Sequence, residues 1–85
     1  MTITVRLRFS ASLREKLGEG EALALPDGST VAVARAALLA RGGVHAEALA
    51  ASRAVRSALN QKMCAESAAL ADGDELAFFP PVTGG

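Results

Sequence analysis

Few side chains in this sequence are equipped for chemistry, and the most capable group belongs to the main chain. The chain closes on Phe78-Phe79-Pro80-Pro81-Val82-Thr83-Gly84-Gly85, which leaves the carboxylate of Gly85 as a terminal acyl group. A carboxylate is a poor acyl donor until one oxygen is made a leaving group; a nucleophile can then take the acyl carbon, splitting one hard step into two easier ones. The flanking residue types suit that use. Gly84 and Gly85 have no Cβ, so their backbone passes through a slot too narrow for other residues. Pro80 and Pro81 have fixed φ and no N–H, so a strand entering them cannot continue its ladder, and each proline biases the residue before it towards extended backbone. A stiff base and a thin tip are expected. From Val82 to Gly85 such a tip spans roughly 13–14 Å when extended.

The other reactive residues are scattered. Cys64 is the single cysteine, which excludes an internal disulfide framework. Reactive thiols need nearby positive charge or a helix N-terminus; Lys62 shares a strand face with Cys64, but a buried or semi-buried thiol is the expectation. His45 has only Glu47 near it at metal-ligand spacing, and an exposed histidine at a helix start is the expectation. No metal site is expected.

Composition narrows the class. Eighty-five residues, 51% of them apolar, make one domain able to bury about 60–65% of its unfolded surface. Nine basic and nine acidic residues cancel, so the basic face of a nucleic-acid binder is not expected. The first residues carry charge where a signal peptide needs an apolar run, and no stretch approaches membrane-spanning length. A cytoplasmic protein without a membrane partner is the expectation.

The elements that must hold the terminal segment can be read in order. Ile3, Val5, Leu7 and Phe9 alternate with Thr2, Thr4, Arg6 and Arg8, which predicts a half-buried strand. Ser10 or Ser12 caps a short helix, with Ser12-x-x-Glu15 as a capping box, Leu13 and Leu17 on one face and Gly18 as its stop. Glu21–Leu25 reads as a second strand, closed by Pro26-Asp27-Gly28. Ser29 or Thr30 then starts the main helix, whose apolar stripe is Val31, Ala34, Ala37 and Leu38, with Arg35 and Arg41 outside and Gly42-Gly43 at its end. A helical turn over His45–Ala51 follows. Val55–Asn60 is a third strand, Asn60-Gln61 a tight turn into Lys62-Met63-Cys64, and Asp72-Gly73-Asp74 a turn into the last strand, Glu75–Phe79. The order implies an α+β fold with a mixed sheet of four to five strands and one main helix on one face. If the first and last strands are neighbours this is the β-grasp arrangement, with a domain over 1–79 and an extended tail over 80–85.

Alternation in the last strand assigns Leu76 and Phe78 to the core and Glu75, Ala77 and Phe79 to the other face. A single exposed hydrophobe needs no explanation. At the root of the tail, however, Phe79 reads as a docking aromatic. Met63 falls on the opposite face from Leu59 and Lys62, either as a gap-filler in the core or as part of the same docking surface.

The segment from Asp72 to Gly85, with Phe78-Phe79-Pro80-Pro81-Val82-Thr83-Gly84-Gly85 at its end, resembles the C-terminus of the small subunits of molybdopterin synthase, sulfur carriers of the MoaD/ThiS family. Arg8-Phe9-Ser10-Ala11-Ser12-Leu13-Arg14-Glu15 resembles that family's first strand and helix, and Asn60-Gln61 its turn before the interface strand. Residues 19–54 match only in pattern. The resemblance implies that an ATP-dependent adenylating enzyme activates Gly85, that a sulfur donor displaces AMP to leave a thiocarboxylate, and that the large synthase subunit receives the tail. Sulfur then passes to a cyclic pyranopterin monophosphate. It implies no bound cofactor, only the covalent sulfur on Gly85, and a heterotetramer with the large subunit. The chain is then a co-substrate and subunit and does not catalyse by itself. Carried over residue by residue, Gly85 bears the sulfur, Gly84 gives clearance, and Phe79, Pro80, Pro81, Val82, Thr83, Met63 and Arg14 meet the partner; for Arg14 a solvated helix charge is the alternative. Two rival functions use the same activated terminus. They are sulfur carriage for thiamine thiazole synthesis, whose carriers are typically shorter and lack the Pro-Pro pair, and ubiquitin-like conjugation of Gly85 to a lysine.

Overall fold

Strict alternation at the N-terminus becomes the first strand, β1 (Thr2–Phe9), in which every second residue from Ile3 to Phe9 is buried. The computed structural model describes residues 1–10, 12–50 and 55–80. After β1 come α1 (Ser12–Leu17), β2 (Gly20–Pro26), α2 (Val31–Leu39), α3 (Gly43–Leu49), β3 (Arg56–Leu59), β4 (Lys62–Cys64) and β5 (Glu75–Phe79). The strands form one five-stranded sheet in the order β2-β1-β5-β3-β4. β1 and β5 are parallel, with Leu7 beside Leu76 and Phe9 beside Phe78; the other pairs are antiparallel. The last strand is therefore the middle one.

One face of the sheet is covered. Leu76 and Phe78 are buried there with Val31, Ala34, Leu38 and Leu49 from the helices. The rings of Phe9 and Phe78 stack with centroids 6.4 Å apart. Their burial, at roughly 25 cal/mol per Å² of apolar surface, is the main force holding β5 against β1. Gly18 closes α1 with φ +89°, and its N–H donates to the Arg14 carbonyl at 2.9 Å, as a left-handed cap requires. Thr30 caps α2, its hydroxyl accepting from the Val33 N–H.

Two expectations are corrected. Arg35 is not outside α2: it is 9% exposed. Its guanidinium donates to the carbonyls of Leu49 (2.9 Å), Ala50 (3.0 Å) and Val55 (3.4 Å) and to Glu66 Oε2 (2.7 Å). The apolar stem packs like a core residue while the planar head meets carbonyls left over at the end of α3, so burial costs little. The second correction is His45, which is half-buried, with Nε2 enclosed and without a hydrogen-bond partner among the described residues. Because α3 begins at Gly43, His45 lies in its first turn as expected, and it is the exposure that differs. Arg41 is exposed as expected, and its guanidinium pairs with Glu21 on β2 at 2.6 Å.

Candidate functional site

The site is built on the end of β5. Because β5 is central, the strand that leads into the C-terminal segment is held on both sides. Phe78 is 1% exposed. The carbonyl of Phe78 accepts from the Ser10 N–H at 3.2 Å, which ties the end of β5 to the residue that follows β1. Phe79 and Pro80 are half-buried. Phe79 points to the face opposite the helices, as alternation requires, and lies directly across the ladder from Arg56. Pro81, Val82, Thr83, Gly84 and Gly85, on which the tail reading rests, lie outside the described residues.

The β3–β4 hairpin sets the second half of this face. Asn60 (φ +50°) and Gln61 (φ +71°) are both left-handed, the conformation that a two-residue hairpin needs to match strand twist. Asparagine tolerates it. Its side chain is also fixed: Asn60 Oδ1 accepts from the Glu75 N–H at 3.0 Å and Nδ2 donates to Asp74 Oδ1 at 3.1 Å. The turn is thereby tied to the start of β5, and the register that follows places Met63 across from Ala58, which itself lies across from Ala77. Met63 is 60% exposed, so it does not fill a core gap. Ala77, Ala58 and Met63 form an apolar strip beside Phe79.

Arg14 projects from α1, which packs against β1 and β5 at the end of the sheet where the chain exits. Its side chain is exposed and makes no ion pair among the described residues. Cys64 and Lys62 share the other face of the sheet with Ser57 and Leu59. The Cys64 thiol is half-buried, 3.8 Å from the Ser57 hydroxyl. It is therefore on the opposite side of the sheet from Phe79. No group of three or more potential metal ligands occurs among the described residues. No helix among them is long and apolar enough to cross a membrane.

Sequence reasoning did not single out Arg8, Arg56 and Asn60 as part of this surface. For the arginines the alternation that exposes Phe79 would have sufficed, had it been carried from β5 to its neighbours. For Asn60 the contact to Asp74 comes only from the fold.

Residues 7–85 match the model of the ThiS family, and the chain belongs to that family. It is 37% identical to the molybdopterin synthase sulfur carrier subunit of Escherichia coli K12 over 95% of this chain and 99% of that one. The protein of the same name from Haemophilus influenzae is 38% identical over 91% of this chain and 94% of that one. Among solved structures, small archaeal modifier protein 1 of Haloferax volcanii superposes with a TM-score of 0.75 at 27% identity, covering 94% of this chain and 99% of that one. Subunit 1 or 2 in the complex of the molybdopterin-converting factor from Helicobacter pylori superposes with a TM-score of 0.65 at 25% identity, covering 98% of this chain and 100% of the matched one. A ubiquitin from Caldiarchaeum subterraneum, 16% identical with a TM-score of 0.66 over the full length of both chains, shares the fold. The fold is the ubiquitin-like β-grasp.

Proposed function

We propose that this chain is the sulfur carrier subunit of a molybdopterin synthase. The observation that carries the reading is its correspondence, along almost its whole length, with two proteins of that name. The match to the family includes the Phe79-to-Gly85 segment.

The chemistry assigned to each residue follows from what the terminus must do. The Gly85 carboxylate attacks the α-phosphorus of ATP in the site of an adenylating enzyme and expels pyrophosphate, so that one of its oxygens becomes the bridge to AMP. A sulfur donor displaces AMP, leaving a thiocarboxylate. In the large synthase subunit the thiocarboxylate sulfur bonds to a cyclic pyranopterin monophosphate, and water then cleaves the acyl–sulfur bond, leaving the sulfur on the pterin and restoring the carboxylate. Gly84, Thr83, Val82 and Pro81 thread the two partner sites in turn. Phe79, Pro80, Met63 and Arg14 seat the globular domain at the entrance. An aromatic anchor at the tail's root makes entry and docking one event, which reduces the ordering cost of the tail. A large-subunit partner is supported by the complex of subunits 1 and 2 of the molybdopterin-converting factor from H. pylori.

The likeness to a small archaeal modifier protein supports a second reading, in which an amine of another protein takes the same activated Gly85 carbonyl. Intact-mass measurement on protein from its native cells separates the two. Carriage predicts a species in which sulfur replaces one oxygen at Gly85 and no isopeptide-linked adducts. Adducts joined through Gly85, with no thiocarboxylate form, would establish the modifier instead.

A further inference from the structure

The two edges of the sheet are finished differently. β4 is three residues long and begins at the exposed Lys62; a short strand and a lysine are both features that discourage further pairing. β2, at the other edge, runs for seven residues, and its exposed positions are Gly20, Ala22, Ala24 and Pro26. Its one charged residue, Glu21, is taken up by Arg41.

Register fixes which backbone groups the β2 edge leaves open. The Phe9 N–H donates to the Glu19 carbonyl at 3.0 Å, and the Asp27 N–H to the Met1 carbonyl at 2.9 Å. Bonded pairs in an antiparallel ladder recur every second residue, so between these two bonds Glu21, Leu23 and Leu25 bond to β1. The N–H and C=O groups of Gly20, Ala22 and Ala24 point away from β1 and have no partner among the described residues. At Pro26 the edge closes: there is no N–H, and its carbonyl accepts from the Ser29 N–H at 3.2 Å and the Ser29 hydroxyl at 2.6 Å. Arg41 reaches β2 through Glu21, and Val33 and Ala37 precede it on the same ridge of α2 at four-residue spacing. That ridge therefore runs above the edge, and Val33 on it is 41% exposed.

We propose that β2 pairs with β2 of a second copy of this chain, antiparallel about a two-fold axis. An axis through Ala22 sets Ala22 against its counterpart and Gly20 against Ala24, and it joins every open N–H and C=O group of the edge. Self-complementarity selects this occupant. The side chains brought opposite one another at these positions are a hydrogen and methyl groups, and Glu21 keeps Arg41 within its own copy. The like charges on the open face, Arg6 and Arg8 of β1, stay three strand spacings, about 14 Å, from those of the second copy. That exceeds the screening length of about 10 Å at 0.1 M salt. The assembly stops at two copies, because the outer edges of the joined sheet are then both β4. Phe79 and the C-terminal segment follow β5, two strands away from the joint, so the pairing leaves them uncovered and does not depend on the carrier reading. One strand pair buries less than the roughly 1,200–2,000 Å² of a standard interface, so the association is weak and set by concentration.

Sedimentation equilibrium and amide hydrogen exchange on the full chain test the pairing together. The average mass is expected to rise from one chain towards two between about 10 μM and about 1 mM, as a weak interface implies. Over the same range the Ala22 and Ala24 amides are expected to exchange about fivefold more slowly, while those of Leu23 and Leu25, already bonded to β1, stay constant. Ala22→Pro removes an N–H that β1 does not use, at an edge where proline is tolerated, and is expected to keep the chain a monomer. Should that variant fail to fold, Ala22→Lys gives the same readout, since its exposed side chain meets its own counterpart across the axis. A wild type that stays monomeric at about 1 mM overturns the proposal. So does association that leaves the Ala22 and Ala24 amides unprotected, or that persists at wild-type strength in a folded Ala22 variant.

Discussion

Phe79 and Phe78, neighbours in sequence, are on opposite faces of the central strand: Phe78 is 1% exposed against the ring of Phe9, whereas Phe79 lies across from Arg56 on the open face. On the carrier reading, the division separates stability from recognition. Phe78→Ala removes a fully enclosed ring and is expected to cost about 3–5 kcal/mol of folding stability. Phe79→Ala is expected to leave most of that stability in place and to weaken binding to the large subunit by about 1–3 kcal/mol. Urea unfolding and calorimetric titration of both variants check the pair. Equal loss of stability in the two would show that Phe79 is a core residue.

On the carrier reading the terminus acts through its own carbonyl and tolerates no change of length. Removing Gly85, or adding one residue after it, moves the reactive carbon by about 3.3–3.6 Å. It is then out of line with groups that must be placed to a fraction of that distance. Both variants are expected to fold as the wild type and to accept no sulfur, read by intact mass after incubation with the activating enzyme, ATP and a sulfur donor. Normal loading of either would falsify the assignment of Gly85.

How far the sequence discloses this arrangement depends on the range of the forces involved. β1 and β5 are legible because alternation fixes the face of every residue once one is assigned, and Leu7, Leu76 and Phe78 leave no choice. The Asn60-Gln61 turn is legible from residue type. Arg35 is not, because its partners are main-chain carbonyls at Leu49, Ala50 and Val55, which no side-chain pattern announces. The exposure of His45 is misread for a related reason. A two-glycine stop marks a chain reversal but not which side chains the next helix encloses. The pairing of Arg8 with Glu75 depends on two strands far apart in sequence lying side by side.

The ion pair of Glu21 with Arg41 ties β2 to the end of α2, and it titrates. The hydrogen bond and charge of Arg41 lower the Glu21 pKa from its ordinary 4.5, against a smaller opposing effect of burial. A depressed folded pKa gives stability that is present above the unfolded value and is lost as pH falls through the folded one. Both side chains are about a third exposed, so the effect is small, about 0.2–1 kcal/mol. Glu21→Gln is expected to be less stable than wild type by that amount at pH 7 and to become equal to it as the pH falls through the lowered folded pKa of Glu21, below which the residue is protonated in both states. A difference that persists unchanged in acid would assign it to packing and not to charge.

The buried guanidinium of Arg35 joins α2 to the residues that flank the 51–54 segment, and two accounts of its contribution can be told apart. One is the ion pair with Glu66, whose side chain is 50% exposed. The other is the set of three carbonyls that Arg35 satisfies. Loss of the pair alone returns Glu66 to water at little cost, whereas loss of the guanidinium strands buried acceptors, each worth about 1–3 kcal/mol if left unpaired. Glu66→Gln is therefore expected to cost less than about 1 kcal/mol, and Arg35→Ala about 2–4 kcal/mol. Arg35→Lys should fall between them, since a point charge on a flexible stem cannot reach carbonyls in several directions at once. Denaturant midpoints of the three variants, read with the slope held constant, give the ranking. If Glu66→Gln costs as much as Arg35→Ala, the carboxylate and not the backbone is what holds Arg35 in place.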